Sequence, residues 1–544
     1  MINKLKSEGI DDFTVEFDPG DDVGFTPGIE STFVASKRTR ARQNLVGKYY
    51  SGPGLEEIAR YGGYTTYQPG GNTDAFVRES LKLFTRNGYE SIHGFTRRGE
   101  GIDGMYKSLY KYDCSPNSFH SLTSIQRNAM KRAIGFARER FSLPYKHEPL
   151  DWHEVGQFMR TDTSAGVSFM GHKKRDVMPQ IYTEARWLGH RMKEGGKDRF
   201  DPRQVRFAPC LAGQRGHLSP RDEPKTRLVW IYPAEMLVVE GLWAPVMYRE
   251  FQKLPDSPLL YGKSSQRLYT EWLVGLREGE ILHGLDFQAF DTKVPAWLIH
   301  VAFEILHRNV DWLSWRGKPT SKRSRQKWRN VWDGMKWYFI NTPILMPDGR
   351  MFRKHLGVPS GSWFTQLIDS VVNFILVGYL TECQGMEACG LKVLGDDSVF
   401  RNARELSLVQ AALDAFVVGM EMKPEKCEIT RDPNDFKLLG VKYRRGHAWR
   451  AEDEWFKLAL YPENPPADVG TSLSRLVGLW LGGAMWSPSF CAFMQFFQTC
   501  YECPLEGWFT KDQRRWLSIV YGEKAPRGWT AKKSLFWRSI FYTF

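Results

Sequence analysis

The sequence predicts a mixed α+β body with more than one lobe, and three stretches of its second half carry that prediction. Glu280 to Phe287 (EILHGLDF) is a short apolar run closing on an acid, the pattern of a buried strand that delivers a carboxylate at its C-terminal edge. Thr365 to Leu380 repeats at helical spacing, with Leu367, Ile368, Val371, Val372, Ile375, Leu376 and Leu380 on one side. Leu391 to Arg401 (LKVLGDDSVFR) reads as two short strands around a Gly-Asp-Asp turn, because Gly395 supplies backbone freedom and apolar residues flank both sides.

In chain order, the first sixty or so residues are rich in Asp, Gly, Pro and Lys/Arg, with a basic cluster at Lys37, Arg38, Arg40 and Arg42. They show no sustained periodicity and read as an extended arm. From about Phe76 to Arg199 the pattern is mixed helical, broken at Gly and Pro. Ala403 to Met420 reads as an amphipathic helix and Phe436 to Arg444 as a further strand-like run; the remaining hundred residues look mainly helical. Leu476 to Tyr501 is long and uncharged, but Gly482, Gly483, Ser487 and Pro488 interrupt it, which predicts two packed helices and a turn in place of a membrane span.

At 544 residues the chain can form two to four domains or one large multi-lobed body. Its formal charge of +13, from 75 basic and 62 acidic residues, is spread along the whole length, so the folded body carries a broadly positive field suited to a polyanion. The 20 Trp, 22 Tyr and 34 Phe imply large cores or stacking surfaces. Eight irregularly spaced cysteines make no disulfide framework, and the CxxC at Cys500 and Cys503 lacks the second ligand pair of a zinc site; a reducing compartment fits. Met1 to Gly20 has no apolar run of a secretory signal. Gly262-Lys263-Ser264 has Ser257 where a phosphate-cradling loop needs glycine, which argues against a nucleotide-driven motor.

Gly-Asp-Asp occurs twice. Gly20-Asp21-Asp22 lacks flanking strands and upstream partners, whereas Gly395-Asp396-Asp397 sits on the predicted hairpin tip. Adjacent like charges are costly unless cations neutralise them, so a presented Asp pair invites hard divalent ions, Mg2+ by default or Mn2+. Asp286, arriving from a distant strand, would let two such ions about 4 Å apart share ligands and support an in-line phosphoryl transfer. Thr365, Asp369 and Asn373, separated by four and four, share one helix face and can project into one cavity.

These motifs together resemble the palm motifs of viral RNA-dependent RNA polymerases, over roughly Thr161 to Tyr443. Asp286-x4-Asp291, then Gly357-Val-Pro-Ser-Gly361 with Thr365 and Asn373, then Gly395-Asp-Asp397 is the three-part signature; GVPSGSWFTQLIDS and VLGDDSVF are most similar to picobirnavirus and partitivirus polymerases, from small double-stranded RNA viruses. The resemblance implies that Asp286, Asp396 and Asp397 hold the metals. It implies that Asp291 senses the ribose 2′-hydroxyl, with Ser360, Gly361, Thr365 and Asn373 completing the nucleotide site. Lys426, in KPEKC, would protonate the departing pyrophosphate, with Lys423 as its neighbour. Thr163-Ser164-Ala-Gly166 with Lys173, Lys174 and Arg175 resembles the template-guiding fingers motif, and Lys225-Thr-Arg227 the motif that grips triphosphate. On an extended segment Lys225 and Arg227 face one side and can neutralise phosphate charge together. Arg215 lies in a looser match, and Phe436 to Tyr443 resembles the turn that supports the primer. Asp369 departs from the asparagine that many relatives carry: an ionised Asp only accepts hydrogen bonds.

The implied architecture is a right hand with closed fingertips: an N-terminal arm over residues 1–60, fingers over 61–227, palm over 228–311, a fingers insertion over 312–354, the second palm part over 355–445 and a thumb over 446–544. The partners implied are a single-stranded RNA template, the nascent duplex, nucleoside triphosphates and a viral capsid protein, without a membrane, in the virion interior and host cytoplasm. Two other readings use the same features: a reverse transcriptase, which typically carries an aromatic gate where Asp291 stands, and a non-catalytic RNA-binding or capsid-associated protein.

Overall fold

Two sheets are interleaved along the chain in the computed structural model, which describes residues 49–501 apart from 67–70, 72, 86–89, 116, 195–198, 264–275 and 445–446. Gly20-Asp21-Asp22, the Lys37 to Arg42 cluster, Ser264, Cys503 and the end of the segment expected as a thumb lie outside the described residues. The strands are β1 (Leu55–Arg60), β2 (Cys210–Gly216), β3 (Thr226–Ile231), β4 (Ile281–Gly284), β5 (Pro343–Leu345), β6 (Arg350–Lys354), β7 (Cys389–Leu394), β8 (Asp397–Asn402) and β9 (Glu428–Thr430). The first sheet runs β1-β6-β5-β2-β3 and the second β7-β8-β4-β9. Every pairing in the second sheet is antiparallel, whereas β2 and β5 make one parallel contact in the first.

The end of the stretch read as an arm is an edge strand. Nothing in LEEIAR alternates in the way a strand pattern requires; its ladder to β6 is reinforced by charge, Glu56 lying opposite Arg353 and Glu57 accepting from Arg350 at 2.8 Å. Such pairs are visible only once both strands are known.

The helices that matter to the site are α1 (Ala75–Phe84), α2 (Ser124–Arg140), α3 (Thr365–Cys383), α4 (Leu408–Val417), α5 (Glu452–Leu460), α6 (Val469–Leu481) and α7 (Pro488–Tyr501). α3 is buried without interruption from Leu367 to Thr381. The one-sided apolar reading is therefore too narrow: the second sheet covers one side of α3, and α2 and neighbouring helices cover the other. Thr365, Asp369 and Asn373 do not form a solvated face. α4 departs in the opposite sense. Ala411 and Ala415 point inward, while Val409, Leu413 and Phe416 are exposed.

The uncharged C-terminal stretch forms two helices with a 3-10 turn between them, as its glycines and proline predict, and among the described residues no helix is long and apolar enough to cross a membrane. α1 joins this end of the chain. Val77 and Leu81 share one apolar cluster with Trp455, Leu476, Trp480 and Phe493. Asp74 ties the two together: it caps α1 by accepting from the Val77 amide at 3.1 Å, accepts from the Ser472 hydroxyl at 3.0 Å and pairs with Arg475. Beyond the second sheet, β10 (Lys437–Leu438) and β11 (Val441–Arg444) form a hairpin whose two turn residues, Leu439 and Gly440, have φ of 52° and 75°.

Candidate active site

Asp286 lies two residues past β4, at the C-terminal edge of the strand as expected. Its position is fixed through its main chain: the amide donates to Cys427 Sγ at 3.4 Å and the carbonyl accepts from the Lys423 amide at 3.1 Å. The Gln288 amide then donates to the Glu421 carbonyl at 2.7 Å, and Ala289 turns the chain with a left-handed φ of 52° into the short helix Phe290–Lys293, which carries Asp291. Ala289 has a side chain where glycine is favoured, a strain of the kind that collects at functional sites.

Asp396 occupies the turn between β7 and β8. α3 grips that turn from behind: the Gly395 amide donates to Ser370 Oγ at 2.9 Å, and Asn373 Nδ2 donates to the Gly395 carbonyl at 2.9 Å. Gly395 has φ 62°, a conformation that favours glycine, while a Cβ there would meet only the movable end of the Gln366 side chain. Asn373 thus spends its amide nitrogen on the hairpin, and its Oδ1 is buried without a partner.

The acids of the two sheet edges act on one another. Burial raises the Asp286 carboxyl, and Asp396 adds to the rise against the pull of Lys426 and Lys423. Asp397, although exposed as a residue, has a carboxyl set into the cleft; burial, then Asp396 and Asp286, push it up to about 6. Asp291 is raised to about 6 by burial and Asp396, opposed by Arg227. Asp369, fully enclosed in α3, is pushed well above the carboxylate range by burial, then by Asp291 and Asp396. The shift favours its protonated form, in which it can donate a hydrogen bond as an asparagine would. Acids from three separate segments thus gather in one region, and among the expected metal-holding acids Asp286, Asp396 and Asp397 are mutual neighbours.

Carboxyls crowded in this way, only partly offset by Lys426, Lys423 and Arg227, suit a hard divalent cation. Yet among the described residues no three His, Cys, Asp or Glu side chains are grouped so as to hold a metal ion by themselves. The donor set is acidic and oxygen-only but open, which fits an ion that also takes ligands from a substrate.

The opposite wall is basic. Lys225 and Arg227 are both exposed, while Thr226 between them faces inward and accepts from the Glu100 amide at 2.7 Å, the alternation expected of a strand. Arg215 on β2 lies directly across from Arg227, a like-charge pair that is partly offset by the ion pair of Arg215 with Glu463. His217 registers the field: burial, then Arg227, Arg215, Arg97 and Lys225, hold it down at about 4. Arg97 had no signal in the sequence, since nothing in HGFTRRGE distinguishes it from a surface cation; it is placed by donating to the Tyr461 carbonyl at 2.8 Å.

The Gly357 to Thr365 loop closes the cleft. Ser360 is its exposed residue, and its hydroxyl accepts from the Trp230 amide at 3.1 Å. A Cβ on Gly361 would lie 1.8 Å from the Trp230 carbonyl, so only glycine allows this approach. The Thr365 hydroxyl is turned onto the loop, donating to the carbonyls of Pro359 at 2.6 Å and Ser362 at 3.0 Å. Of the side chains expected around a sugar, Thr365 and Asn373 are thus engaged with main chain, leaving Ser360 and Asp291 nearest to open space.

The segment expected to guide template forms a small antiparallel bridge, Ser164 to Lys173. Ser164 and Lys173 are exposed, but Lys174 is buried and points back, donating to Thr163 Oγ1 at 2.7 Å and the Ser164 carbonyl at 2.8 Å. Burial lowers its amine to about 8. Gly166 has φ 84°, and a Cβ there would lie 2.8 Å from Pro233 Cα. On the other flank, Lys426 is exposed and is the cation acting most on Asp286, ahead of Lys423.

Residues 53–498 match the family described as viral RNA-dependent RNA polymerase. The RNA-directed RNA polymerase of Cryptosporidium parvum virus 1 is 30% identical over 266 residues, 46% of this chain and 45% of that one. That of White clover cryptic virus 1 is 25% identical over 280 residues, 47% of this chain and 44% of the relative. The chain spans about half the length of these curated relatives. A solved RNA-dependent RNA polymerase of a human picobirnavirus, an insertion-loop deletion mutant, superimposes with a TM-score of 0.55 at 16% identity, covering 78% of this chain and 77% of its own, and so shares the fold. The family match takes in both sheets, the acidic cleft and its basic wall, and the chain accordingly belongs to the viral RNA-dependent RNA polymerases.

Proposed function

We propose that the chain is the RNA-directed RNA polymerase of a double-stranded RNA virus, joining ribonucleotides on a single-stranded RNA template during replication and transcription. The observation that carries this reading is the gathering of Asp286, Asp396 and Asp397 at the ends of neighbouring strands, where the Asp396 charge helps to raise the carboxyls of both Asp286 and Asp397 and Arg227 acts on nearby Asp291. Asp286 and Asp396, with Asp397 in support, would hold two Mg2+ (or Mn2+) ions, which when bound supply Lewis-acid stabilisation of the attacking and leaving oxygens.

The chain's own residues do the remaining work. Lys225 and Arg227 neutralise the triphosphate, Arg227 by paired hydrogen bonds. Asp291 meets the 2′-hydroxyl, the group that marks a ribonucleotide. Lys426, an exposed amine beside Asp286, donates a proton to the departing pyrophosphate. Ser164 and Lys173 lie along the template path, with Gly166 and Lys174 supporting that turn from behind. The nascent duplex leaves through the basic interior, and a capsid protein holds the enzyme in the virion and in the host cytoplasm.

The test is Mg2+-dependent incorporation of labelled ribonucleotide on a single-stranded template. Asp396→Ala should lower it by about a hundredfold or more, since one lost metal ligand removes several kcal/mol of stabilisation. RNA binding and the melting temperature should change little. Substantial synthesis by the variant rejects the proposal, and RNA retention without synthesis by the wild type favours a binding protein.

A further inference from the structure

Beneath the Gly357 to Thr365 loop lie two ionisable side chains with no part in the chemistry above. Glu240 ends the helix Ala234–Glu240 and is fully buried. One carboxyl oxygen, Oε2, accepts from the Ser362 hydroxyl at 2.7 Å and from the Trp363 amide at 2.8 Å; Oε1 is buried without a partner. At the near end of the loop Lys354, also fully buried, donates to the carbonyls of Phe339, Ile340 and Gly357 at 2.6, 2.9 and 2.8 Å. Burying an ionisable group costs several kcal/mol unless its hydrogen bonds are supplied, and apolar residues of similar volume would fill the space more cheaply. What these two groups provide and apolar ones cannot is a fixed grip on main-chain and hydroxyl groups of the loop.

The consequence falls on the residues between the grips. Ser360 is held exposed in the cleft, and the Val358 amide donates to the Asp291 carbonyl at 2.6 Å, so loop and acid move together. The Tyr112 hydroxyl donates to the Val358 carbonyl at 2.9 Å and the Tyr248 hydroxyl to the Trp363 carbonyl at 3.1 Å, leaving the Ser360 side as the open face.

We propose that Glu240 is a positioning residue for nucleotide selection: by holding Ser362 and Trp363 from beneath, it sets where Ser360 and Asp291 meet the incoming ribose. The inference rests on the polymerase reading of the cleft. Burial pushes the Glu240 carboxyl up to about 8, so at pH 7 it is a neutral acid whose accepting oxygen a glutamine can reproduce and an alanine cannot.

Wild type, Glu240→Gln, Glu240→Ala and Ser362→Ala are compared for single-nucleotide incorporation on a primed RNA template with ribo- and deoxynucleotides, below the melting temperature of each. Glu240→Ala should raise KM for the ribonucleotide about tenfold and narrow the ribo-over-deoxy preference by a similar factor, with RNA binding unchanged. Glu240→Gln should stay near wild type, and Ser362→Ala should shift both quantities in the same direction by less. A role in stability alone would lower melting temperatures without moving the sugar preference. Unchanged KM and preference in folded Glu240→Ala, or a Glu240→Gln variant as impaired as the alanine, overturns the proposal; should Glu240→Ala not fold, Ser362→Ala decides by the same measures. Wild type that binds RNA but incorporates nothing overturns the reading of the cleft and this inference with it, whereas active wild type with unmoved variants overturns the inference alone.

Discussion

Asp291 shows how much one residue's surroundings decide. It lies at the strained turn after Ala289, raised by burial and by Asp396 and pulled back by Arg227, so its carboxyl bridges the acidic and basic walls. Asp291→Ala should leave Asp286, Asp396 and Asp397, the acids proposed to hold metal, in place while cutting the preference for ribo- over deoxynucleotides by about tenfold, a discrimination of 1–2 kcal/mol. Competition between the two nucleotide types measures it; a wild type that prefers deoxynucleotides would instead mark a reverse transcriptase. Asp286 and Asp396 are legible in the sequence because a strand end and a hairpin tip are local features, whereas Asp291 is reached only through the family resemblance. Glu240 carries one local signal, an acid inside the apolar run AEMLVVEGLW, but its partners Ser362 and Trp363 lie far along the chain. Lys354 gave none, since in RMFRK it reads as one more cation, and its partners are carbonyls of a different element.

Among elements, the helix Thr365–Cys383 and the Gly-Asp-Asp hairpin were both readable from periodicity, but their relation was not. Ser370 and Asn373 holding Gly395 is a tertiary fact, and it makes Asn373, expected near a sugar, a support for the hairpin. The coupling of Ala75–Phe84 to the C-terminal helices was hidden for the same reason, because its anchor, Asp74, reaches Ser472 and Arg475 some four hundred residues on. Asp74→Ala removes the helix cap and strands Arg475, whose side chain is only 21% exposed. The expected loss is about 3–5 kcal/mol, seen as a lower melting temperature, with Asp74→Asn milder because it keeps the cap. Equal melting temperatures for all three proteins would show that this link does not hold the helices together.

For the whole molecule, the shared cavity makes stability depend on pH and cation together. Asp291 and Asp397 have folded values near 6, above the ordinary carboxylate range near 4. Between these values the folded state binds more protons than the unfolded one, so their contribution to stability falls as pH rises through that window and stays low above it. Glu235, pushed by burial to about 7, and Glu240 add a slope of the same sign at higher pH, but they lie away from the cation site. Mg2+ should therefore raise the melting temperature more at pH 8 than at pH 5, as measured by calorimetry with and without a chelator. An equal or larger gain at pH 5 contradicts a carboxylate-held ion.

The interleaving of the two sheets also bears on how the chain is made. Ile281–Gly284 is an interior strand, yet both of its ladder partners, Asp397–Asn402 and Glu428–Thr430, are synthesised roughly a hundred residues or more after it. Throughout that interval a growing polypeptide carries an apolar strand with both edges unsatisfied, an invitation to foreign pairing. It also carries Asp286 without Asp396, so the two acids proposed to share an ion are first brought together only after the Gly-Asp-Asp hairpin has emerged from the ribosome.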